Sequence, residues 1–427
     1  MLVSSISLST LGLVCSLPLQ GGCSGNIGST PADGGPGEAA PVPTPNSAPT
    51  TLPGASDAGA VPPPPGAGPL GFTPSNISLS GINLSKIADE DVSRQCTIQT
   101  GTGGYQDCFS YGVSAVVSQS DGSKVEVIVV KSLTLEPAGR INVTGGLPLA
   151  LVSLGDMTLL GPIDANAARG AANAGGFSAQ AGGQIKGAGP GGGPASTGTT
   201  FNASAAAGGG SYCGRGGQGG VESTATGQAA APTASYGTTA IVPLLGGSSG
   251  GNGGLGSGAG GGALQLVARG TLSLGAAGHI NVGGGGGTFG GPGIIEEASG
   301  GGSGGSLLIE APIVKIAGAL AANGGGGGSG YSGTAYGQDA TPDAIAAGGG
   351  AGGSTGGAGA ASASIDGANG LTGAVTSDAL GSGGEGGGGG AGRIRINTMT
   401  GSADLPGATI SPDMSTSCAT QGKVASL

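Results

Sequence analysis

The chain has no tryptophan, five phenylalanines, six tyrosines and a single histidine, His279, in 427 residues. So few rings exclude a conventional aromatic core and leave small side chains to pack close to backbone. Charged residues make up only 8%, which excludes disorder of the charge-repelled kind. Thirteen Lys and Arg stand against 23 Asp and Glu, a net charge of −10, and the cations never cluster. A nucleic-acid face needs concentrated positive charge, so that partner class is excluded. No apolar run reaches the roughly 18 residues of a membrane-crossing helix. The lone histidine lies far from every cysteine and the cysteine spacing fits no zinc pattern, so no metal is expected, and no cofactor. Nor does any glycine run end in Gly-Lys-Ser/Thr, and no Gly-Gly-x-Gly-x-Asp series occurs, which removes phosphate loops and calcium-bound β-rolls.

What is present is glycine, 104 residues, with 26 prolines. Residues 2–19 are apolar and small-rich and read as a secretory signal within residues 1–23. Gly21-Gly22-Cys23 resembles a bacterial lipobox, with Gln20 where an aliphatic residue is usual and no basic residue before Lys86. Lipidation at Cys23, plain secretion and retention in the cytosol are the three readings; lipidation is the one taken. Residues 24–74 hold 13 of the prolines and no aromatic except Phe72. They read as an extended tether. Residues 75–124 read as an N-terminal β cap. Asp121-Gly122 between Val113–Gln119 and Lys124–Val130 is a hairpin signal, because glycine accepts the positive φ of the turn.

From 125 to 410 the chain repeats. Val125–Val143, Leu147–Asn166, Ala263–Val282, Ser306–Ala322 and Arg393–Ile410 align as triplets of short alternating strands, with a glycine before each third strand. The expected fold is all-β: a three-faced parallel β-helix, or solenoid, of about five coils. Long glycine-rich insertions at 167–262, 283–305 and 323–392 leave from one corner, and residues 411–427 form a tail. The expected inward rows include Val125, Val127, Leu149, Leu264, Leu307 and Ile394. Ile128, Val152, Val267 and Leu308 are expected to point outward, beneath folded-back loops. The insertions are either unstructured or polyglycine-II-like, extended threefold helices packed side by side.

An even cysteine count in an exported chain implies disulfides, expected as Cys96–Cys108 and Cys213–Cys418. No catalytic residue is assigned. His279 reads as a solvated spacer, and Asn142, Asp164 and Asn281 as a side-chain ladder. Glu296 with Glu297, and Asp339 with Asp343, are loop charges that could pair for hydrolysis but more commonly only solvate. Tyr331 and Tyr336, with Asp339 and Asp343, are the candidate ligand-binding residues, because tyrosines can stack on a sugar.

The stretches GGGALQLVARGTLSLGAAGHINVGGGGG and GGEGGGGGAGRIRIN resemble a group of uncharacterised glycine-rich, lipoprotein-like exported proteins of the myxobacterial type, over roughly residues 75–415. That resemblance implies export and a β-rich body, and brings no activity. The expected function is non-enzymatic: an exported, lipid-anchored structural or surface-adhesion protein, outer membrane-anchored and periplasmic or at the cell surface. Its expected partners are outer-membrane lipid and extracellular polysaccharide or surface protein. The alternative is a polysaccharide-binding or polysaccharide-cleaving β-helix protein.

Overall fold

The structure is a computed structural model that describes residues 68–197, 204–222, 229–290, 297–330, 334–351, 355–373 and 384–426. The chain divides after Gly59, and every described residue belongs to the second unit. The expected signal segment and most of the tether lie outside the described residues.

The strands are short, and no α-helix occurs among the described residues. In chain order they are β1 (Phe72–Thr73), β2 (Asp89–Val92), β3 (Gln95–Thr100), β4 (Val113–Ser118), β5 (Lys124–Val130), β6 (Ser132–Leu135) and β7 (Arg140–Gly145). There follow β8 (Leu149–Ser153), β9 (Met157–Leu159), β10 (Ile163–Asp164), β11 (Ala263–Ala268), β12 (Thr271–Leu274) and β13 (His279–Asn281). The last are β14 (Ser306–Glu310), β15 (Ile313–Ile316), β16 (Ala319–Ala321), β17 (Arg393–Thr398), β18 (Thr409–Ser411), β19 (Ala419–Lys423) and β20 (Ala425–Ser426).

They assemble into three stacked sheets of seven, six and five strands, ordered β19-β17-β14-β11-β8-β5-β4, β18-β16-β13-β10-β7-β3 and β15-β12-β9-β6-β2, with a separate β1-β20 pair. This corrects the expected three-faced parallel β-helix of about five coils. The seven-stranded sheet is mixed and the other two are parallel throughout, and all three end on open edges without closing on themselves. β4 joins β5 antiparallel, as β1 joins β20. The reason for β4 is local: a tight turn at Asp121-Gly122, with Gly122 at φ +85°, can return a strand only antiparallel. At the other end the middle element fails, because residues around Leu405 leave only a Lys315–Asp404 bridge where a strand was expected. The sheets also reach beyond 125–410, taking in β2 and β3 before it and β19 after it.

The main core lies between the sheets. Leu149, Leu264, Leu307 and Ile394 pair in register across β8, β11, β14 and β17, and all are buried. Leu133, Met157, Leu272 and Val314 form the corresponding row of the five-stranded sheet. One expected row is wrong. β5 pairs Glu126 with Leu149 and Ile128 with Leu151, one residue out of the expected register. A one-residue slip exchanges the two faces of a strand. Ile128 and Val130 therefore enter the main core, while Val125, Val127 and Val129 pack in a second cluster on the other face.

That second cluster, with Val152, Val267 and Leu308, is sealed chiefly by Leu70, Phe72, Ile77 and Leu79 of the N-terminal segment. Ile241 and Leu244 of the first insertion and Val424 near the C-terminus complete it. The cover expected from glycine runs is thus supplied by ordinary apolar side chains, some of them from the end of the stretch read as tether. Glu310, fully buried, fastens this cover. Its carboxylate accepts from Ser75 N (3.0 Å), Ser75 Oγ (2.6 Å), Gln265 Nε2 (2.6 Å) and Asn397 Nδ2 (3.1 Å).

The glycine segments form a second kind of layer. Within 300–305 the amide of Gly300 donates to Gly251, Gly301 to Gly387, Gly302 to Gly285, Ser303 to Ser248, Gly304 to Gly390 and Gly305 to Val282, at 2.7–3.0 Å. Each partner segment thus returns at every third residue. A strand would alternate every second residue; a period of three belongs to an extended threefold helix. The carbonyls of 300–303 accept from Gly258, Gly210, Gly325 and Gly261. One segment is therefore surrounded by six others, drawn from all three insertions. A Cβ built on Gly302 would land on the Ala259 carbonyl, and one on Gly305 on the Gly262 carbonyl. Only glycine permits this separation of backbones.

Candidate functional site

Of the residues singled out in the sequence, Cys23, Tyr331 and Glu296 lie outside the described residues. Cys96 and Cys108 are bonded with Cα atoms 5.2 Å apart, tying β3 to the segment before β4. Cys213 and Cys418 are bonded across 205 residues with Cα atoms 5.7 Å apart, tying the first insertion to the start of β19.

Tyr336 is exposed at the rim. The Arg169 guanidinium lies 3.7 Å from its ring centroid, and the Phe289 ring meets it edge-on at 4.9 Å. Asp339 Oδ1 accepts the Gly286 N–H at 2.8 Å. Asp343 Oδ1 accepts the Ile345 N–H at 2.8 Å, and its carbonyl accepts from Asn323. Asp339 thus ties the third insertion to the second and Asp343 fastens its own turn, while Tyr336 and Ile345 are exposed.

His279 is not a solvated spacer. Its Nε2 lies 3.2 Å from Asp164 Oδ1, and Arg140 reaches Asp164 Oδ2 at 2.8 Å. Asp164 pairs in register with Asn142 and Asn281, but no amide ladder joins them. Asn142 accepts from Arg140 Nε, and Asn281 accepts the Gly283 N–H.

Two buried clusters carry the electrostatics of the insertions, and neither has a motif by which sequence could find it. In the first, the Tyr212 and Tyr236 rings meet at 4.5 Å, and Arg393 of β17 donates to the Tyr236 carbonyl at 3.1 Å. Burial pushes the Tyr212 hydroxyl up to about 12. Burial and the neighbouring Tyr212 push Tyr236 well above its usual range, while burial lowers Arg393. This cluster seats the first insertion on the seven-stranded sheet.

The second cluster joins Glu222, Glu297 and Glu385, one from each insertion, at 3%, 5% and 0% exposure. Ser204 Oγ donates to Glu222 Oε2 at 3.3 Å, and Gly330 N–H donates to Glu385. Burial raises the Glu297 carboxyl; the Ser204 hydroxyl opposes the rise, and the Glu222 and Glu385 carboxylates add to it. Burial raises Glu222 as well. Acidic groups from separate insertions thus converge here, and all three are buried.

The described residues also line two surface hollows. One of about 280 Å³ is apolar, bounded by Leu70, Phe72, Ile77, Leu79 and Leu84. One of about 130 Å³ is polar, with Glu90, Asp91, Arg94 and Asp107. Glu90 is already engaged by the Ser110 and Tyr111 amides, and Arg94 by Asp107 at 3.5 Å. Among the described residues no group of His, Cys, Asp and Glu has the placement of a metal site, and no helix is long and apolar enough to cross a membrane. No protein-family model, no curated protein and no solved structure matches this chain.

Proposed function

We propose that the chain is an exported, non-enzymatic structural or surface-adhesion protein, held to the outer membrane by lipid on Cys23. The observation that carries this reading is the six-neighbour glycine layer, fastened to the sheets by Cys213–Cys418. Two features support it. Paired cysteines belong to oxidising compartments outside the cytosol. Backbone packed this closely makes a rigid body from residues with no chemistry of their own, which suits display or scaffolding better than turnover. The proline-rich stretch ahead of Gly68 would hold that body off the bilayer.

The test is incorporation of labelled palmitate into the wild type and Cys23→Ala, followed by protease shaving of intact cells. Label in the wild type alone supports the anchor. Equal absence in both overturns it.

A second reading, polysaccharide binding, is favoured by the exposed Tyr336 ring with Arg169 beside it. Loss of retention on a polysaccharide matrix in Tyr336→Ala supports it; unchanged retention removes it.

A further inference from the structure

Glu297 carries an unusual burden for a glycine-dominated layer. It is 5% exposed, and its Oε2 has no hydrogen-bond partner. The charged groups that act on it are the carboxylates of Glu222 and Glu385, both buried and both from other insertions. Ser204 and the Gly384 amide are its hydrogen-bonding neighbours. An ionised, half-satisfied carboxylate facing two more in a dry site is costly, whereas a protonated one is not.

We propose that Glu297 is a proton-operated latch: protonated, it lets the three insertions close on one another at this point, and loss of its proton to solvent drives them apart.

Burial and the two like charges hold its proton above the usual carboxylate range. The closed form therefore binds a proton that the open form releases, and closure weakens as pH rises. For one proton the closed-to-open ratio falls by up to about tenfold per pH unit between the open-state and closed-state pKa values. The sheets lie outside this equilibrium, so opening is local, a behaviour expected of low-stability elements.

The experiment is hydrogen exchange of the full chain, corrected for intrinsic pH dependence, from about pH 4 to about pH 9, a span that starts below the ordinary glutamate value of about 4.3 and runs well above it. Amides of 297–300 and 384–388 are expected to lose protection with rising pH while those of β11 and β14 do not. Glu297→Gln is expected to flatten that profile, and Glu222→Gln to shrink the loss of protection at high pH, because removing one repulsive charge lets the ionised Glu297 stay closed more easily. Protection of β11 and β14 reports whether each variant folds. A flat wild-type profile overturns the proposal, as does a Glu297→Gln profile that keeps the wild-type slope. Restoration of protection at high pH by calcium, reversed by chelator, would also overturn it, because the latch would then be a cation site.

Discussion

Gly302 donates its amide to Gly285 at 2.8 Å, bridging the two halves of one insertion, while its carbonyl accepts from Gly325 of the next at 2.9 Å. A methyl group on Gly302 would occupy the place of the Ala259 carbonyl. Backbone cannot yield as a side chain can, so Gly302→Ala is expected to cost about 3 kcal/mol, the upper end of overpacking penalties. Gly146→Ala, where a Cβ meets nothing within 4 Å, is the control and should be near neutral. Urea-unfolding midpoints of the two variants decide it.

The Cys213–Cys418 bond closes a loop of 205 residues. Chain-entropy reasoning assigns such a long loop about 5 kcal/mol, with about 2–4 typical of measured bridges. Cys213→Ser with Cys418→Ser is expected to lower the unfolding midpoint and to raise proteolysis at 208–222 first. A midpoint equal to wild type would show that the glycine layer seats without it.

Glu310 gathers four donors from three separate parts of the chain, at Ser75, Gln265 and Asn397. Truncating it leaves those groups buried without an acceptor. Glu310→Ala is expected to cost about 3–5 kcal/mol, the range for breaking a buried charged network. Early tryptic or thermolytic release of residues around 70–85 should accompany the loss, because Ser75 anchors the segment that covers Val152, Val267 and Leu308.

Tyr212 ionises only near about 12, and Tyr236 also ionises late, because burial disfavours their anionic forms. The unfolded chain ionises at the ordinary tyrosine value, so above about pH 10 the unfolded state binds fewer protons than the folded one. Stability present below that pH is therefore lost as pH rises from about 10 towards 12. Ultraviolet titration should show delayed tyrosinate absorbance in the wild type, and less of it in Tyr212→Phe.

Much of the sheet framework was legible because Leu149, Leu264, Leu307 and Ile394 sit in strands that alternate, and alternation names the buried face. Lys124–Val130 was misread because five of its seven residues are apolar, so periodicity gave no face. The single polar residue inside it, Glu126, pointed to the wrong one. Its carboxylate shares the register row of Leu149 and is satisfied by Gly101 N–H and Ser114 Oγ, partners that no local pattern reveals. Near Ile87–Val92 the sequence left a strand and a short helix both open, because Asp89-Glu90-Asp91 carries no apolar alternation; the segment is strand β2, with Glu90 buried and held by the amides of Ser110 and Tyr111. Glu222, Glu297 and Glu385 were invisible as a group, since long-range packing alone brings them together.

The most direct measurement is amide exchange across 300–305. Every amide there has a partner in another segment, so all six are expected to exchange slowly and consecutively, without the alternation of an edge strand. Exchange at unstructured rates throughout 300–305, with the sheets still protected, would contradict the glycine layer on which this account rests.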